Sequence, residues 1–461
     1  MKSRESEFSN SYNPKSSPMQ AHLYKPKDRA GNRAETKGLK AILVNPWIYD
    51  FAAYNFWIRP LGLYRVAEWL WERGLDVELI DCLSQPRAPG RFERIQVSPP
   101  LPLSAIRRRF ARYGIPEEEY KRRIIAAQPF DVAFVTSIMS YWYPGVKHAI
   151  TAIRESNPDA IIVLGGVYAT LWKRHAEREM GADLVLEGPI EAHASRLSSL
   201  LNISKEAVRP GRPWYLLGLH DGADFSATRT AIGCPFRCTY CGSHRISGDY
   251  RPRSAEDTLE ELTCLYSMGV RQIAFYDDAL LVDFEHRLKP ILDGVLKRGI
   301  SFRFHTPNGL HARLVTREVA HYFKRCGFKT IRLSLESSWP ERQQSTGAKV
   351  TNDALVEAVN NLLKAGIDRE HIGVYLLCGL PDQDAREVAD SIRFVKKLEV
   401  RPYLAEFSPI PGTPEWERLL RTRTISQDMD PLYTNNTLFF RLYSRIGEKE
   451  WKRLQALRNP K

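Results

Sequence analysis

The chain has 461 residues, enough for two or three domains. Its 43% hydrophobic and 26% charged residues exclude a disordered or fibrous protein, and no apolar run approaches the roughly 20 residues that cross a bilayer. The net charge of +13 is diffuse and selects no partner by its sign, so nucleic acid is not expected. The N-terminus is basic but lacks the apolar stretch of a secretory signal. Three of the seven cysteines fall within eight positions, unlike the scattered pairs of a secreted disulfide scaffold. These features point to a cytoplasmic protein with a metal site.

Residues 1–38, rich in Ser, Asn, Pro and Lys with eight Lys/Arg against four Asp/Glu, read as a disordered tail. From residue 40, β-branched apolar runs alternate with amphipathic helical stretches, the pattern of a parallel sheet. Expected strands are 40–47, 76–81, 131–139, 160–166 and 182–188, with a helix between Pro60 and Gly74. Five strands over residues 39–205 predict a doubly wound, Rossmann-like domain whose ligand lies beyond the carboxyl ends of the strands. Asn45, Pro46, Ser137, Gly165, Gly166, Glu187 and Gly188 stand at those ends. Aromatic residues cluster nearby in 45–57 and 140–145, where they serve a flat ligand or a core equally well.

A Pro- and Gly-containing loop at 208–225 leads to a second alternation, with strands expected at 227–234, 272–278, 301–308, 330–337, 371–379 and 401–410. Six βα units predict a partial (β/α)6 barrel over 206–425, with its active site at the carboxyl ends of the strands. Residues 426–461 read as an appended helical segment.

Cys234, Cys238 and Cys241, in GCPFRCTYCGSH, can wrap one small loop around an iron–sulfur cluster, since thiolates are its ligands. With His244 the same residues would instead make a three-cysteine, one-histidine zinc knuckle of an RNA-binding protein. Cys82, Cys264 and Cys326 read as small hydrophobes. Cys378 has two readings, core and barrel interior.

The CxxxCxxC spacing, with Tyr240 before the last cysteine, resembles the signature of the radical S-adenosylmethionine (SAM) superfamily, and the likeness runs from about residue 227 to 414. It implies a 4Fe-4S cluster on the three cysteines, with one open iron that binds SAM and cleaves it to a 5′-deoxyadenosyl radical. YDDALL then supplies Asp277 and Asp278, the latter for the methionyl amino group. HTPNGL supplies His305 and Asn308, and LSLES supplies Ser334 and Glu336 for the ribose or amino group. Gly379, with Pro409 of SPIPGTPEW, resembles the adenine-side elements.

A doubly wound domain before such a barrel resembles the cobalamin-binding branch of that superfamily, over residues 40–425. This branch includes methyltransferases and ring-forming enzymes, so methylation of an unactivated carbon is implied, with cyclisation or rearrangement as the alternative. Cobalamin would then meet Asn45, Pro46, Ser137, Met139, Tyr141, Gly165, Gly166, Tyr168, Glu187 and Gly188. The pattern departs from the better-known motif in lacking DxHxxG, so no histidine is expected below cobalt. Tyr168 also stands where histidine is commoner. The resemblance further implies a small-molecule substrate and a flavodoxin- or ferredoxin-type electron donor.

Overall fold

The computed structural model describes residues 38–85, 88–211, 215 and 223–459. The expected tail, apart from Gly38, and most of the 208–225 loop lie outside the described residues. In the first half, β1 (Lys40–Asn45), β2 (Asp76–Asp81), β3 (Val132–Val135), β4 (Ile161–Leu164) and β5 (Leu184–Val185) form a parallel sheet in the order β5-β4-β3-β1-β2. All six residues of β1 are buried, as a central strand covered on both faces requires. The order reverses between β1 and β3, which creates a crevice at their carboxyl ends. β3 to β5 are shorter than their apolar runs because the chain turns away as soon as pairing ends.

Ile48–Asp50, which follows β1, forms a small antiparallel sheet with Ala111–Tyr113 and Arg94–Gln96 from between β2 and β3, which the parallel pattern did not foreshadow. The second half contains β6 (Phe225–Thr228), β7 (Gln272–Phe275), β8 (Arg303–His311), β9 (Phe328–Glu336), β10 (Ile372–Cys378) and β11 (Arg401–Glu406). They pair in parallel and in chain order, giving an open six-stranded barrel. Ile273, Phe275, Phe304, Ile331, Leu333, Val374 and Leu376 pack outward under the helices. The alternate positions therefore face the barrel interior.

Two expectations need correction. The first barrel strand does not run through 227–234: it ends at Thr228, and Ala231–Ile232 instead pair antiparallel with Arg251–Pro252. The C-terminal segment is not an appendage. Leu432 and Leu438 pack with Phe51, Phe110 and Tyr141 of the first half, while Phe440 and Leu454 join the barrel core. Asn435 Nδ2 donates to Asp50 Oδ1 at 3.1 Å, and the Tyr143 hydroxyl donates to Asp430 at 3.0 Å.

The halves also meet through residues 54–59. Arg59 donates to the Phe225 carbonyl at 3.1 Å and lies 4.1 Å over the Phe225 ring. The Tyr276 hydroxyl donates to the Phe56 carbonyl at 2.6 Å.

Candidate active site at the cysteine loop

The loop that carries Cys234, Cys238 and Cys241 is shaped by glycine and docked from several sides. Gly233 has φ +79°, and a Cβ there would stand 2.6 Å from the Asp249 carbonyl, so only glycine fits before Cys234. Gly347, at φ +116°, lies so close that its Cβ would be 3.1 Å from the Cys238 Cα. The Thr239 amide donates to the Thr346 carbonyl at 3.2 Å, and the Glu415 amide donates to the Thr239 carbonyl at 3.1 Å. The Phe236 ring stacks on His311 at the end of β8, 3.9 Å between centroids. The loop thus sits over the carboxyl ends of the barrel strands.

Burial pushes all three thiols above their usual range, and the Lys349 ammonium opposes that shift at each one. Cys234 and Cys241 also feel the Asp278 carboxylate, and Cys238 feels Glu336. Three thiols, two carboxylates and one ammonium therefore share one region. Lys349 Nζ pairs with Glu336 Oε1 at 3.3 Å. Glu336 has φ +69° and follows a register shift between β9 and β10, a strained backbone of the kind that aims a side chain at a site.

Three polar atoms around the loop are buried with no protein partner: the Tyr240 hydroxyl, Ser243 Oγ and His311 Nδ1. Burial holds the Tyr240 phenol above its usual range, and the neighbouring Glu336 carboxylate and Cys238 thiol add to that shift. An unpaired buried donor or acceptor costs about 1–3 kcal/mol, so these atoms are suited to a polar ligand. The donor set fits a cluster whose irons take one thiolate each. Among the described residues, no three His, Cys, Asp or Glu side chains converge on a single ion. His244 stands with Arg237, Arg245 and the Cys241 backbone, which does not favour the zinc-knuckle reading.

The other sequence candidates divide. Asp278 is exposed at the end of β7, whereas Asp277 is not free to bind a ligand and that expectation is corrected. The Asp277 carboxylate accepts from the Thr230 and Ala231 amides at 3.0 and 2.8 Å and pairs with the buried Arg287 at 3.4 Å. Asn308 donates to the Asp277 carbonyl at 3.1 Å, and Ser334 is buried beside Gly309, whose missing Cβ leaves room for its hydroxyl.

His305 is corrected as well: paired with Ala274 and Thr330 below the strand ends, it stacks on Trp57. Gly379 is explained by packing, since a Cβ there would lie 2.3 Å from the Phe440 ring. Pro409 is buried one residue before Ile410, which packs on Gly242 of the cysteine loop. Cys378 is fully buried in the core under the helices and does not face the interior. Sequence reasoning missed Lys349 and His311. His311 lies beyond the strand expected at 301–308, and Lys349 reaches the loop only through the turn after β9.

At the edge of the first sheet, Asn45, Pro46 and Ser137 line a hollow at the switch point with Trp47, Ile138 and Trp142. Asn45 Nδ2 donates to Asp81 Oδ1 at 2.7 Å. Met139 is partly buried beside them and Gly165 has open space where a Cβ would be. Gly166 is required by packing, because its Cβ would lie 2.6 Å from the Ser137 carbonyl. Glu187 pairs with Lys173 at 2.9 Å, and the Gly188 amide donates to Thr170 Oγ1 at 2.9 Å.

Two aromatic expectations fail at this edge. Tyr141 and Tyr168 are core residues, Tyr141 against Phe51 and Phe110, and Tyr168 hydrogen-bonded to His175 Nδ1 at 2.6 Å and stacked near Tyr143. The apolar surroundings that made both attractive as ligand contacts are those of a core.

The family described as "Radical SAM superfamily" matches residues 229–395, the span that holds the cysteine loop and β7 to β10. These residues are a radical SAM domain. Its cofactors are a 4Fe-4S cluster and SAM. The chain is 27% identical over 324 residues to the uncharacterized methyltransferase PH0819 of Pyrococcus horikoshii, covering 62% of this chain and 69% of the relative. It is 23% identical over 424 residues to the hopanoid C-3 methylase of Methylococcus capsulatus, covering 84% and 74%.

Solved structures of the radical SAM methyltransferase TsrM from Kitasatospora setae share the fold. One, with tryptophan and a SAM analogue, has a TM-score of 0.65 at 16% identity, covering 91% of this chain and 89% of that one. Another, with cobalamin and a [4Fe-4S] cluster, has a TM-score of 0.62 at 15% identity, covering 84% and 75%. The described residues include no helix long and apolar enough to cross a membrane.

Proposed function

We propose that the protein is a cobalamin-dependent radical SAM C-methyltransferase acting on a small molecule. The observation that carries this reading is the convergence of the three thiols with Asp278, Glu336 and Lys349 at the carboxyl end of a parallel barrel. The chemistry supplied there by cluster and SAM is reductive cleavage to methionine and a 5′-deoxyadenosyl radical, which takes hydrogen from an unactivated carbon.

The chain's own part is to hold and orient. Cys234, Cys238 and Cys241 ligate the cluster, and the Lys349 ammonium offsets their negative charge. Asp278 and Glu336 orient the ammonium and ribose of SAM by charge-assisted hydrogen bonds, with Tyr240 and Ser334 beside them. Asn308 fixes the loop that bears Asp278. The barrel walls exclude water from the radical.

Cobalamin, as methyl carrier, is assigned to the first-sheet crevice lined by Asn45, Pro46, Ser137 and Met139, with Gly165 leaving room for its tail. The methyltransferase names of the relatives and the cobalamin-bound structure of similar fold support this part. The division of labour then falls between residues 39–205 and 206–425, with 426–461 bracing both. A flavodoxin or ferredoxin supplies the electron.

Metal analysis and the absorption spectrum of protein purified without oxygen test the assignment. About four irons per chain, with cobalamin retained or taken up on reconstitution, is the expected result. Stoichiometric zinc would refute the cluster, and iron without cobalamin uptake would remove the methyl carrier.

A further inference from the structure

The barrel interior carries two arginines that, among the described residues, pair with no carboxylate. Arg229 follows β6 directly, on the face shared with Phe225. Among the described residues its side chain makes no hydrogen bond or ion pair, and its Nε is buried without a partner. Arg332, on β9, lies 4.5 Å over the Tyr403 ring of β11. Between them stand Tyr276 and Tyr375, the latter donating to the Pro307 carbonyl at 2.9 Å. Tyr403 lies flat against the next strand because Gly373 leaves space, a Cβ there being 2.5 Å from its ring.

Arg229, Tyr276, Arg332, Tyr375 and Tyr403 are each only partly buried, although the strands that carry the last three are well covered on the helical side. Solvent therefore reaches these side chains.

The electrostatics of this space are one-sided. Burial raises the Tyr276 phenol, Tyr375 adds to the shift and Arg229 opposes it, with no acidic group contributing. Burial likewise raises Tyr375, where Arg332 opposes and Tyr403 adds. Below them, His305 is kept neutral by burial and by Arg303, Arg332 and His371, and its Nε2 is buried and unpartnered. A guanidinium withdrawn from water needs a counter-charge, and its planar fork matches an oxyanion.

We propose that the barrel takes a substrate with a carboxylate or phosphate on a flat apolar body, and that Arg229 and Arg332 recognise its oxyanion while Tyr276, Tyr375 and Tyr403 flank the body. Calling this ligand the substrate rests on the radical SAM reading, which places the reacting carbon in the barrel.

Calorimetric titration of the full-length protein with benzoate, phenyl phosphate and neutral benzamide tests it. At least one acid should bind about 10- to 100-fold more tightly than benzamide, the range expected for charged hydrogen bonds. Which acid binds better decides between carboxylate and phosphate. Arg229→Gln and Arg332→Gln should each abolish the preference, and Arg229→Lys should keep part of it. Because the Arg229 side chain bonds to no group among the described residues, Arg229→Gln should keep the wild-type melting temperature.

Benzamide binding as tightly as both acids, failure of both acids to bind at millimolar concentration, or an unchanged preference in both glutamine variants would overturn the proposal. SAM cleavage measured in parallel separates the two readings. Cleavage without acid preference sinks only this inference, and acid preference without cleavage sinks only the radical reading.

Discussion

Trp57 of the first half lies flat against His305 of the barrel, with ring centroids 3.8 Å apart and planes 15° from parallel. The Trp57 indole also donates to Gln272 Oε1 at 3.0 Å, so one side chain from the first half is fixed to two barrel strands. Trp57 has φ +62°, a backbone conformation that the surrounding contacts must hold in place. Trp57→Ala should lower the unfolding free energy by about 3–5 kcal/mol, the usual cost of emptying a large aromatic site. Trp57→Phe should recover part of it. Urea denaturation that leaves Trp57→Ala as stable as the parent would remove this contact from the joint between the halves.

The same contact sets a pH dependence. Burial, with Arg303, Arg332 and His371 nearby, lowers the His305 pKa from 6.5 to about 3. The unfolded chain takes up a proton below pH 6.5 that the folded chain refuses. The stability contributed by neutral His305 is therefore complete above its unfolded pKa and is lost as pH falls toward its folded one. The slope is about 1.4 kcal/mol per pH unit from this residue. In stability measurements across this window, His305→Gln should show a slope shallower by that amount. An identical slope would mean that His305 titrates alike in both states.

The two adjacent aspartates predict opposite phenotypes. Asp277 is 3% exposed and tied to Thr230, Ala231 and Arg287, so Asp277→Ala strands a buried guanidinium. It should cost about 3–5 kcal/mol, read as a lowered melting temperature. Asp278→Ala should keep the melting temperature and iron content but lose most 5′-deoxyadenosine formation. Exchange of these two outcomes would show that the SAM carboxylate has been assigned to the wrong residue.

That pair shows what was legible in the sequence. The strands were visible as apolar runs, and the cysteine loop was visible by its spacing. The alternation Gln272, Ala274, Tyr276 already places Asp278 with the interior face and Asp277 with the helical face, since side chains in a strand alternate. Tyr168 and Tyr141 could not be sorted that way, because an aromatic residue after a strand reads the same whether it covers a cofactor or fills a core. Lys349 was invisible for a different reason: its place beside the thiols depends on a turn folding back from β9. The clamp formed by Leu432, Leu438 and Phe440 likewise depends on where the second half lies against the first.

At the first sheet, neither nearby histidine is placed to ligate cobalt. His148 hydrogen-bonds to the Tyr49 hydroxyl at 2.7 Å and stacks on Trp47, and His175 is held by Tyr168. Bound with its dimethylbenzimidazole tail displaced into the room that Gly165 leaves, cob(II)alamin should therefore show no nitrogen superhyperfine coupling in electron paramagnetic resonance. Coupling that disappears in His148→Phe or His175→Phe would contradict this binding mode.

The central claim, a SAM-cleaving cluster on Cys234, Cys238 and Cys241, is tested most directly by 5′-deoxyadenosine formation in dithionite-reduced protein. Wild type and Cys326→Ala should both hold iron and form the product, because Cys326 is a buried core residue. Cys234→Ala, Cys238→Ala and Cys241→Ala should each lose both. Product formation that survives in any of these three variants, or iron lost equally from Cys326→Ala, would contradict the account.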